Sequence, residues 1–158
     1  MASPFPFTSG QVLTAAQLNG IGEVTAFTPS WTNLTPGNAT ETWYYTRVQR
    51  LVYVYGDTTF GSTTSIGGSV SLSVPVGTIA GVGAVVGTPI GRVRCTSIAV
   101  GPLFVMGIVQ IQGSTTVSFQ AEEVGTTFVE RGGGISTSYP FTWATGDRIN
   151  AFFTYQIA

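Results

Sequence analysis

The sequence predicts an all-β fold, an antiparallel β-sandwich of jelly-roll type, behind a short N-terminal arm and one short helix. Of the 158 residues, 43% are hydrophobic and only 8% are charged, a composition that favours a buried core over disorder. From about Val24 onward the chain is rich in Thr, Val, Ile, Phe and Tyr, and turn-forming residues interrupt it about every 8–12 positions. Helix signals are nearly absent after Asn19. We therefore divide the chain into an N-terminal segment, residues 1–24, and a β-sandwich domain, residues 25–158.

The N-terminal segment carries the pattern of one capped helix. Thr14 and Gln17 have the spacing of a capping box, in which each side chain bonds a free backbone amide of the first turn. Leu13 and Leu18 are placed to form the apolar staple across that turn. The pattern predicts a helix over Ala15–Asn19. Such a helix is too short to be stable alone in water, so we expect it to need a partner surface.

The clearest strand pattern is YYTRVQRLVYVY, residues Tyr44–Tyr55. Its alternation predicts two strands joined by a hairpin whose tip is Gln49-Arg50. One face of the second strand carries Leu51, Tyr53 and Tyr55, and the other face carries Val52 and Val54. Because side chains alternate across a strand, one of these two faces is expected to point to the core.

Further strands are predicted after this hairpin. In Ser69–Val74 the apolar side chains of Val70, Leu72 and Val74 should face the core and the serines should face outward. The last strand, Arg148–Gln156, has one face formed by Ile149, Ala151, Phe153 and Tyr155, and it follows a turn at Ala144–Asp147. The other predicted strands are Gly91–Val100, Leu103–Gln112, Thr116–Glu122 and Tyr139–Trp143.

The charged residues exclude several classes of function. The net charge is −1, there is no Lys, and the six arginines are scattered, so we expect no nucleic-acid partner. The absence of His removes the most common general base and metal ligand. Glu122 and Glu123 are adjacent, so on a strand they face opposite sides and cannot act as a catalytic pair. Arg131–Gly134 is not followed by the Gly-Lys-Ser/Thr of a phosphate-binding loop. We expect no enzymatic activity, no cofactor and no catalytic or bound-metal site.

Two further features have simple structural interpretations. The uncharged stretch Val74–Gly91 has the length of a membrane span, but it contains two prolines and many glycines, so we expect no membrane insertion. Cys95 lies between β-type residues and is expected to be a small buried side chain, although neighbouring arginines are also the setting of a reactive thiol. Asp57 and Asp147 stand beside Gly and are expected to bond backbone amides in turns.

The aromatic residues leave two interpretations open. Trp31, Trp43 and Trp143 each combine a large apolar ring with one polar group. Such side chains serve at the edge of a core or in a subunit interface, which is the interpretation we favour. They also serve as stacking platforms for sugars, so these three tryptophans are the candidate residues of a glycan-binding surface.

The first part of the chain resembles a segment of tailed-bacteriophage proteins. Residues 7–19, FTSGQVLTAAQLN, are similar to the F-x-x-G-x-x-L-T-A-x-x-L-N segment near the start of many phage tail-fibre and appendage proteins. In that family the segment lies at the virion-attachment end. The resemblance implies that the apolar side chains of the proline-flanked arm and of the helix contact another virion protein. These side chains are Phe5, Phe7, Leu13 and Leu18.

The rest of the chain resembles the β-rich C-terminal domain of many phage minor tail proteins. The matching stretches follow one another in order, and the middle of the chain, about residues 77–135, matches least. They are 28–38, 45–48, 51–52, 59–68, 70–75, 140–147 and 153–155. Gln49-Arg50 departs from the family, which usually has Gly-Lys at this hairpin tip, so the type of turn stays open.

The resemblance implies a structural component of a bacteriophage virion, either a tail fibre or spike or a minor tail protein. Its location would be the virion, after assembly in the host cytoplasm. The family also implies a symmetric homo-oligomer, most often a trimer, whose partners are other tail or capsid proteins. Host attachment through a surface glycan is one role that fits. The alternatives are a capsid or tail decoration or adaptor protein without receptor binding, and a carbohydrate-binding module.

Overall fold

The computed structural model is an antiparallel all-β protein, which confirms the predicted fold class. The structure describes residues 10, 12, 14, 15, 21–81, 83–98, 103–124 and 129–158. Eleven strands lie within these described residues. They are β1 (Val24–Ala26), β2 (Trp31–Thr35), β3 (Thr40–Val48), β4 (Leu51–Thr59), β5 (Ser65–Ser73), β6 (Ile79–Ala80), β7 (Pro89–Ser97), β8 (Leu103–Ile111), β9 (Thr116–Val124), β10 (Val129–Gly134) and β11 (Arg148–Ile157).

The strands form one antiparallel sheet that curls into a sandwich-like arrangement. The strand order is β1-β3-β4-β11-β7-β8-β9-β5-β2, with β10 paired to β9 and β6 paired to β11. The concave face of the curl carries the apolar core, whose largest fully buried side chains include Trp43, Leu72, Phe119, Ile135 and Phe153. Because one face of the curled sheet encloses the core, the opposite face is left for contacts with other molecules.

The hairpin predicted within Tyr44–Tyr55 is confirmed. Strands β3 and β4 pair from Thr40↔Thr59 to Val48↔Leu51, and Gln49 and Arg50 form the two-residue tip. Gln49 has a φ of 54°, a left-handed conformation of the kind that tight two-residue hairpin turns require and that glycine adopts most readily.

Strand β11 organises the centre of the sheet. It pairs with β4 on one side and with β7 on the other, so Arg148 is the register partner of both Thr59 and Thr96. The alternation predicts that Ile149, Ala151, Phe153 and Tyr155 share one face, and the structure shows that this face is the inward one, since all four are buried. This long-range pairing brings the end of the chain between two hairpins and joins them into one sheet.

Two details of the predicted strands are wrong. Ser71 is buried instead of facing outward, because its register partners Thr32 and Ser118 flank it on β2 and β9. The segment Tyr139–Trp143 is not a strand and takes part only in an isolated bridge between Ser136 and Tyr139. Its proline has no backbone N–H to donate to a neighbouring strand.

The two ends of the sheet meet at a pair of tryptophans. Trp31 lies on β2 at one end of the strand order, and Trp43 lies on β3 near the other end. Their ring centroids are 5.6 Å apart with an interplanar angle of 79°, an edge-to-face contact of the favourable kind. The indole N–H of Trp31 donates to Glu41 Oε1 at 2.6 Å. This contact crosses the interior of the sandwich and closes the curl.

The indole N–H of Trp43, the second tryptophan at this closure, also has a hydrogen-bond partner. The Nε1–H of Trp43 donates to the hydroxyl of Thr58 at 2.9 Å, and the Thr58 hydroxyl donates to Glu41 Oε1 at 3.4 Å. Trp43 and Thr58 are both buried, so water cannot replace these partners. The half-buried Glu41 carboxylate therefore receives bonds from both ends of the sheet.

Replacing the buried hydroxyl should destabilise the fold. In Thr58→Val the Trp43 N–H loses its partner inside the core, which should lower the free energy of unfolding by about 1–3 kcal/mol. The matched control is Thr40→Val, an exposed position on β3, which should change the free energy of unfolding by less than about 0.5 kcal/mol. Urea denaturation followed by far-UV circular dichroism measures both values. Equal stability of the two variants would contradict this account of the closure.

Candidate functional site

The outer face of the sheet carries a row of aromatic side chains. On β3 and β4, Tyr44 is the register partner of Tyr55, and on β11 Phe152 is the partner of Tyr55 on the other side. Directly paired residues on neighbouring strands have adjacent side chains. Three aromatic rings from three strands therefore stand side by side, and Tyr53 extends the row along β4.

These side chains border a groove, which we call the tyrosine groove. It has a volume of about 450 Å³. The residues that line it include Thr42, Tyr44, Tyr53, Tyr55, Asp57, Asn150 and Phe152. Tyr53 is 38% exposed and Phe152 is 46% exposed, while Tyr44 and Tyr55 are half-buried. The groove thus offers ring surface that solvent reaches, and its aromatic side chains come from three adjacent strands, β3, β4 and β11.

The tyrosine rings lie beside one another and are tilted, so they do not stack face to face. The ring centroids of Tyr44 and Tyr55 are 5.5 Å apart at an angle of 31°, and those of Tyr53 and Tyr55 are 5.7 Å apart at 34°. Beneath them Gly56 is fixed as glycine, because a Cβ at that position would lie 2.1 Å from the Trp43 ring. The core tryptophan therefore packs directly under the backbone that supports the groove.

An ion pair lies at one end of the tyrosine groove. Arg148 donates from Nε and Nη2 to Asp57 Oδ1, at 3.2 and 3.1 Å, and the Thr59 hydroxyl donates to the same oxygen at 3.1 Å. The prediction that Asp57 bonds backbone amides of a turn is therefore wrong, since its partners are side chains on β4 and β11. All three bonds use Oδ1, and among the described residues Asp57 Oδ2 accepts none.

Other polar groups of the groove are also free to bond a ligand. Asn150 donates from Nδ2 to the carbonyl oxygen of Gly56 at 3.2 Å, which orients the side chain and leaves its Oδ1 without a partner among the described residues. The hydroxyls of Tyr44, Tyr53 and Tyr55 have no hydrogen-bond partner in the described part of the chain. The groove thus combines aromatic faces with five polar atoms that no described side chain uses.

The three tryptophans lie apart from this surface. Trp43 is 2% exposed, and Trp31 and Trp143 are partly buried against the core. Trp143 packs on Phe60, with ring centroids 4.8 Å apart, and donates its N–H to the carbonyl of Ser136 at 3.0 Å. These positions correspond to the favoured core interpretation, and they do not give the three rings one shared exposed face.

The four candidate attachment residues Phe5, Phe7, Leu13 and Leu18 lie outside the described residues, and so does most of the predicted helix. Within it, Ala15 is described and is helical, and Thr14 precedes it. The virion-attachment role of this segment therefore stays a prediction.

The sequence pattern of β4 indicates one part of the tyrosine groove. The alternation of β4 placed Tyr53 and Tyr55 on the face opposite to Val52 and Val54, and the structure buries both valines. The partner that completes the surface, Phe152, lies 97 positions after Tyr55 in sequence, and no local pattern indicates that pairing. The sequence therefore does not indicate that Phe152 lies beside Tyr55, because that contact depends on the register of two distant strands.

A second exposed patch, the apolar end patch, lies beside β7 and β8. It consists of Phe104 and Met106, which share one face of β8, together with Ile98 and Leu103 at the neighbouring ends of β7 and β8; all four are between 44% and 57% exposed. The guanidinium carbon of Arg94 lies 5.6 Å from the centroid of the Phe104 ring, a cation–π contact. Clustered exposed apolar side chains of this kind mark sites of protein contact.

Two further observations concern metal-binding clusters and membrane-spanning helices. Within the described ranges no three His, Cys, Asp or Glu side chains come together as a metal site, and no helix there is long and apolar enough to cross a membrane.

The chain matches no protein-family model, no curated protein and no solved structure.

Asp147, Glu122 and Cys95 have structural roles. Asp147 is fully buried. It accepts from the backbone amides of Ala144 at 2.7 Å and Ile98 at 2.9 Å, which confirms the predicted turn role for this aspartate. Arg92 forms an ion pair with Glu122. Cys95 is a buried free thiol, as expected, and burial raises its pKa from 9.0 to about 12.

The raised pKa of Cys95 predicts a pH-dependent loss of stability. The folded state holds the thiol proton more tightly than the unfolded state, so this contribution is complete below pH 9.0 and disappears as the pH rises toward 12. Between pH 8 and pH 10 the wild type should lose about 1 kcal/mol more unfolding free energy than Cys95→Val, in which this group is absent. Guanidinium denaturation of both proteins at each pH measures the difference. Parallel pH profiles would contradict the assignment.

Proposed function

We propose that the chain is a non-enzymatic structural component of a bacteriophage virion, a tail-fibre, spike or minor tail protein that contacts the host. In this proposal residues 1–24 attach the chain to the particle, and the β-domain presents the tyrosine groove outward. The observation that carries the proposal is the resemblance of residues 7–19 to the attachment segment of phage appendage proteins. The exposed aromatic face supports the host-contacting part of the role.

The roles of the acidic side chains support a non-enzymatic protein. Glu41 accepts from the Trp31 indole, Asp57 pairs with Arg148, and Glu122 pairs with Arg92. Asp147 accepts hydrogen bonds from two backbone amides. A glycoside hydrolase needs two carboxyl groups across a cleft, one of them as a general acid. These four carboxylates instead hold strands and turns together.

A second candidate function is a decoration or adaptor protein without receptor binding. The apolar end patch favours it, because exposed clusters of Phe, Met and aliphatic side chains are typical of surfaces that bind other proteins. The two functions differ in which outer surface meets the partner. Loss of host adsorption after changes in the tyrosine groove, with normal particle assembly, would favour the host-contacting role.

Deletion of residues 1–22 should separate folding from attachment. Strand β1 begins at Val24, so the shortened chain retains all eleven described strands and should keep its β-type circular dichroism spectrum. It should no longer be incorporated when supplied to phage lacking the intact chain, as measured by mass spectrometry of purified particles. Normal incorporation of the shortened chain would refute the attachment role.

The full chain should form a trimer in solution. Its low charge gives weak repulsion between copies, and a closed symmetric assembly can bury the apolar end patch. Native mass spectrometry should give three times the 16.5 kDa chain mass. Phe104→Glu should shift the protein toward monomer, whereas Thr154→Glu, an equal charge change at an exposed position on β11, should not. A monomeric wild type would contradict the prediction.

A further inference from the structure

We propose that the tyrosine groove is a binding site for an uncharged pyranose oligosaccharide. The inference deepens the proposed function by naming the chemical class of the host molecule. It rests on that function only for the source of the sugar, the host cell-surface polysaccharide. The site itself follows from three properties of the described residues: ring surface, unused polar atoms and balanced charge.

The first property is ring surface of the correct kind. A pyranose ring has C–H groups on its faces and hydroxyls around its rim, so it is amphipathic in the same way as a tyrosine. The ring centroids of Tyr44 and Tyr53 lie 5.5 and 5.7 Å from that of Tyr55, and Phe152 continues the row on β11. A ligand lying along the groove therefore contacts several rings at once and buries apolar area on each.

The second property is a set of polar atoms suited to sugar hydroxyls. Asp57 Oδ2 and Asn150 Oδ1 are acceptors, and each is held in place because the other atom of its side chain is bonded to the protein. The phenolic hydroxyls both donate and accept. A few fixed polar groups beside aromatic side chains are the usual composition of a specific small-molecule site.

The third property is charge. Asp57 is the acidic side chain among the groove-lining residues, and it forms an ion pair with Arg148. The paired charges leave this end of the groove without net charge, so a neutral ligand is complementary to it. The Arg148 guanidinium is already bonded to Asp57, which makes it a weaker partner for a phosphate or a sialic-type carboxylate. Charge complementarity therefore favours a neutral hexose or deoxyhexose polymer over an acidic one.

A second copy of this chain is the competing occupant. An interface between protein chains at this position would exclude water from the tyrosine hydroxyls and from the free oxygens of Asp57 and Asn150. Such groups lower stability when they are buried without partners. The four side chains that define the apolar end patch carry no hydrogen-bonding group, so this patch suits contact between copies better. The groove is therefore assigned to the sugar, and the experiment includes the oligomeric state.

The test uses the full chain and a defined panel of probes. Neutral hexasaccharides built from glucose, galactose, mannose and rhamnose are titrated into ¹⁵N-labelled protein, with an oligogalacturonate as the acidic comparison. At least one neutral probe should bind saturably and shift the amide signals of β3, β4 and β11. The oligogalacturonate should bind at least about tenfold more weakly.

Two variants locate the binding site. Tyr53→Ala removes the most exposed tyrosine ring of the groove and should weaken binding by about tenfold or more. Leu51→Ala removes an exposed side chain from the same face of β4, outside the groove, and should leave the affinity unchanged. Circular dichroism of each variant establishes that the sheet is intact, and native mass spectrometry establishes the oligomeric state.

Three results would overturn the inference. These are no saturable binding by any neutral probe, equal binding by Tyr53→Ala and wild type, and a change of oligomeric state in Tyr53→Ala that identifies the groove as a subunit interface. If the sugar titration fails, the proposal that residues 1–24 attach the chain to particles still stands. If deletion of residues 1–22 does not block incorporation, the proposal of sugar binding still stands. The two proposals can therefore fail separately.

Discussion

The closure at Glu41 is the constraint on which the rest of the structure depends. A single curved sheet has two ends, and its apolar face is covered only if those ends approach each other. Here β2 and β3 lie near opposite ends of the strand order, and Trp31 bonds to Glu41 between them. Because the Trp43 indole is bonded through Thr58 to the same carboxylate, both large rings pack against the core without an unpaired N–H group.

The closure also determines which surface is available for function. Once the inward face is committed to the core, each strand has one remaining face, and on β3, β4 and β11 that face is aromatic and polar together. The tyrosine groove therefore requires no loop or lid. Its rings stand on three adjacent, paired strands whose other faces carry Trp43, Val54 and Phe153. A site built on such strands is held more rigidly than one built on loops, and so less ordering is needed when a ligand binds.

The sequence predicts the local part of this arrangement and not the long-range part. Alternation is a property of neighbouring residues, and for that reason the sequence shows which residues of Tyr44–Tyr55 and Arg148–Gln156 share a face. Placement of β11 between β4 and β7 joins residues nearly a hundred positions apart, and no local pattern encodes it. The segment Tyr139–Trp143 has the residue types of a strand, but Pro140 cannot take part fully in a ladder. Residue type alone therefore misassigned it.

The same distinction explains why the tyrosines, and not the tryptophans, form the candidate site. An indole has a single polar group, a donor, and here Glu41, Thr58 and Ser136 each accept from one of the three tryptophans. With that group satisfied inside the protein, the whole ring can join the core. A phenol has its hydroxyl at the far end of the ring, so a tyrosine on the outer face keeps its ring against the sheet and its hydroxyl in water. The side of the strand on which an aromatic residue falls is therefore a better guide to binding than the size of its ring.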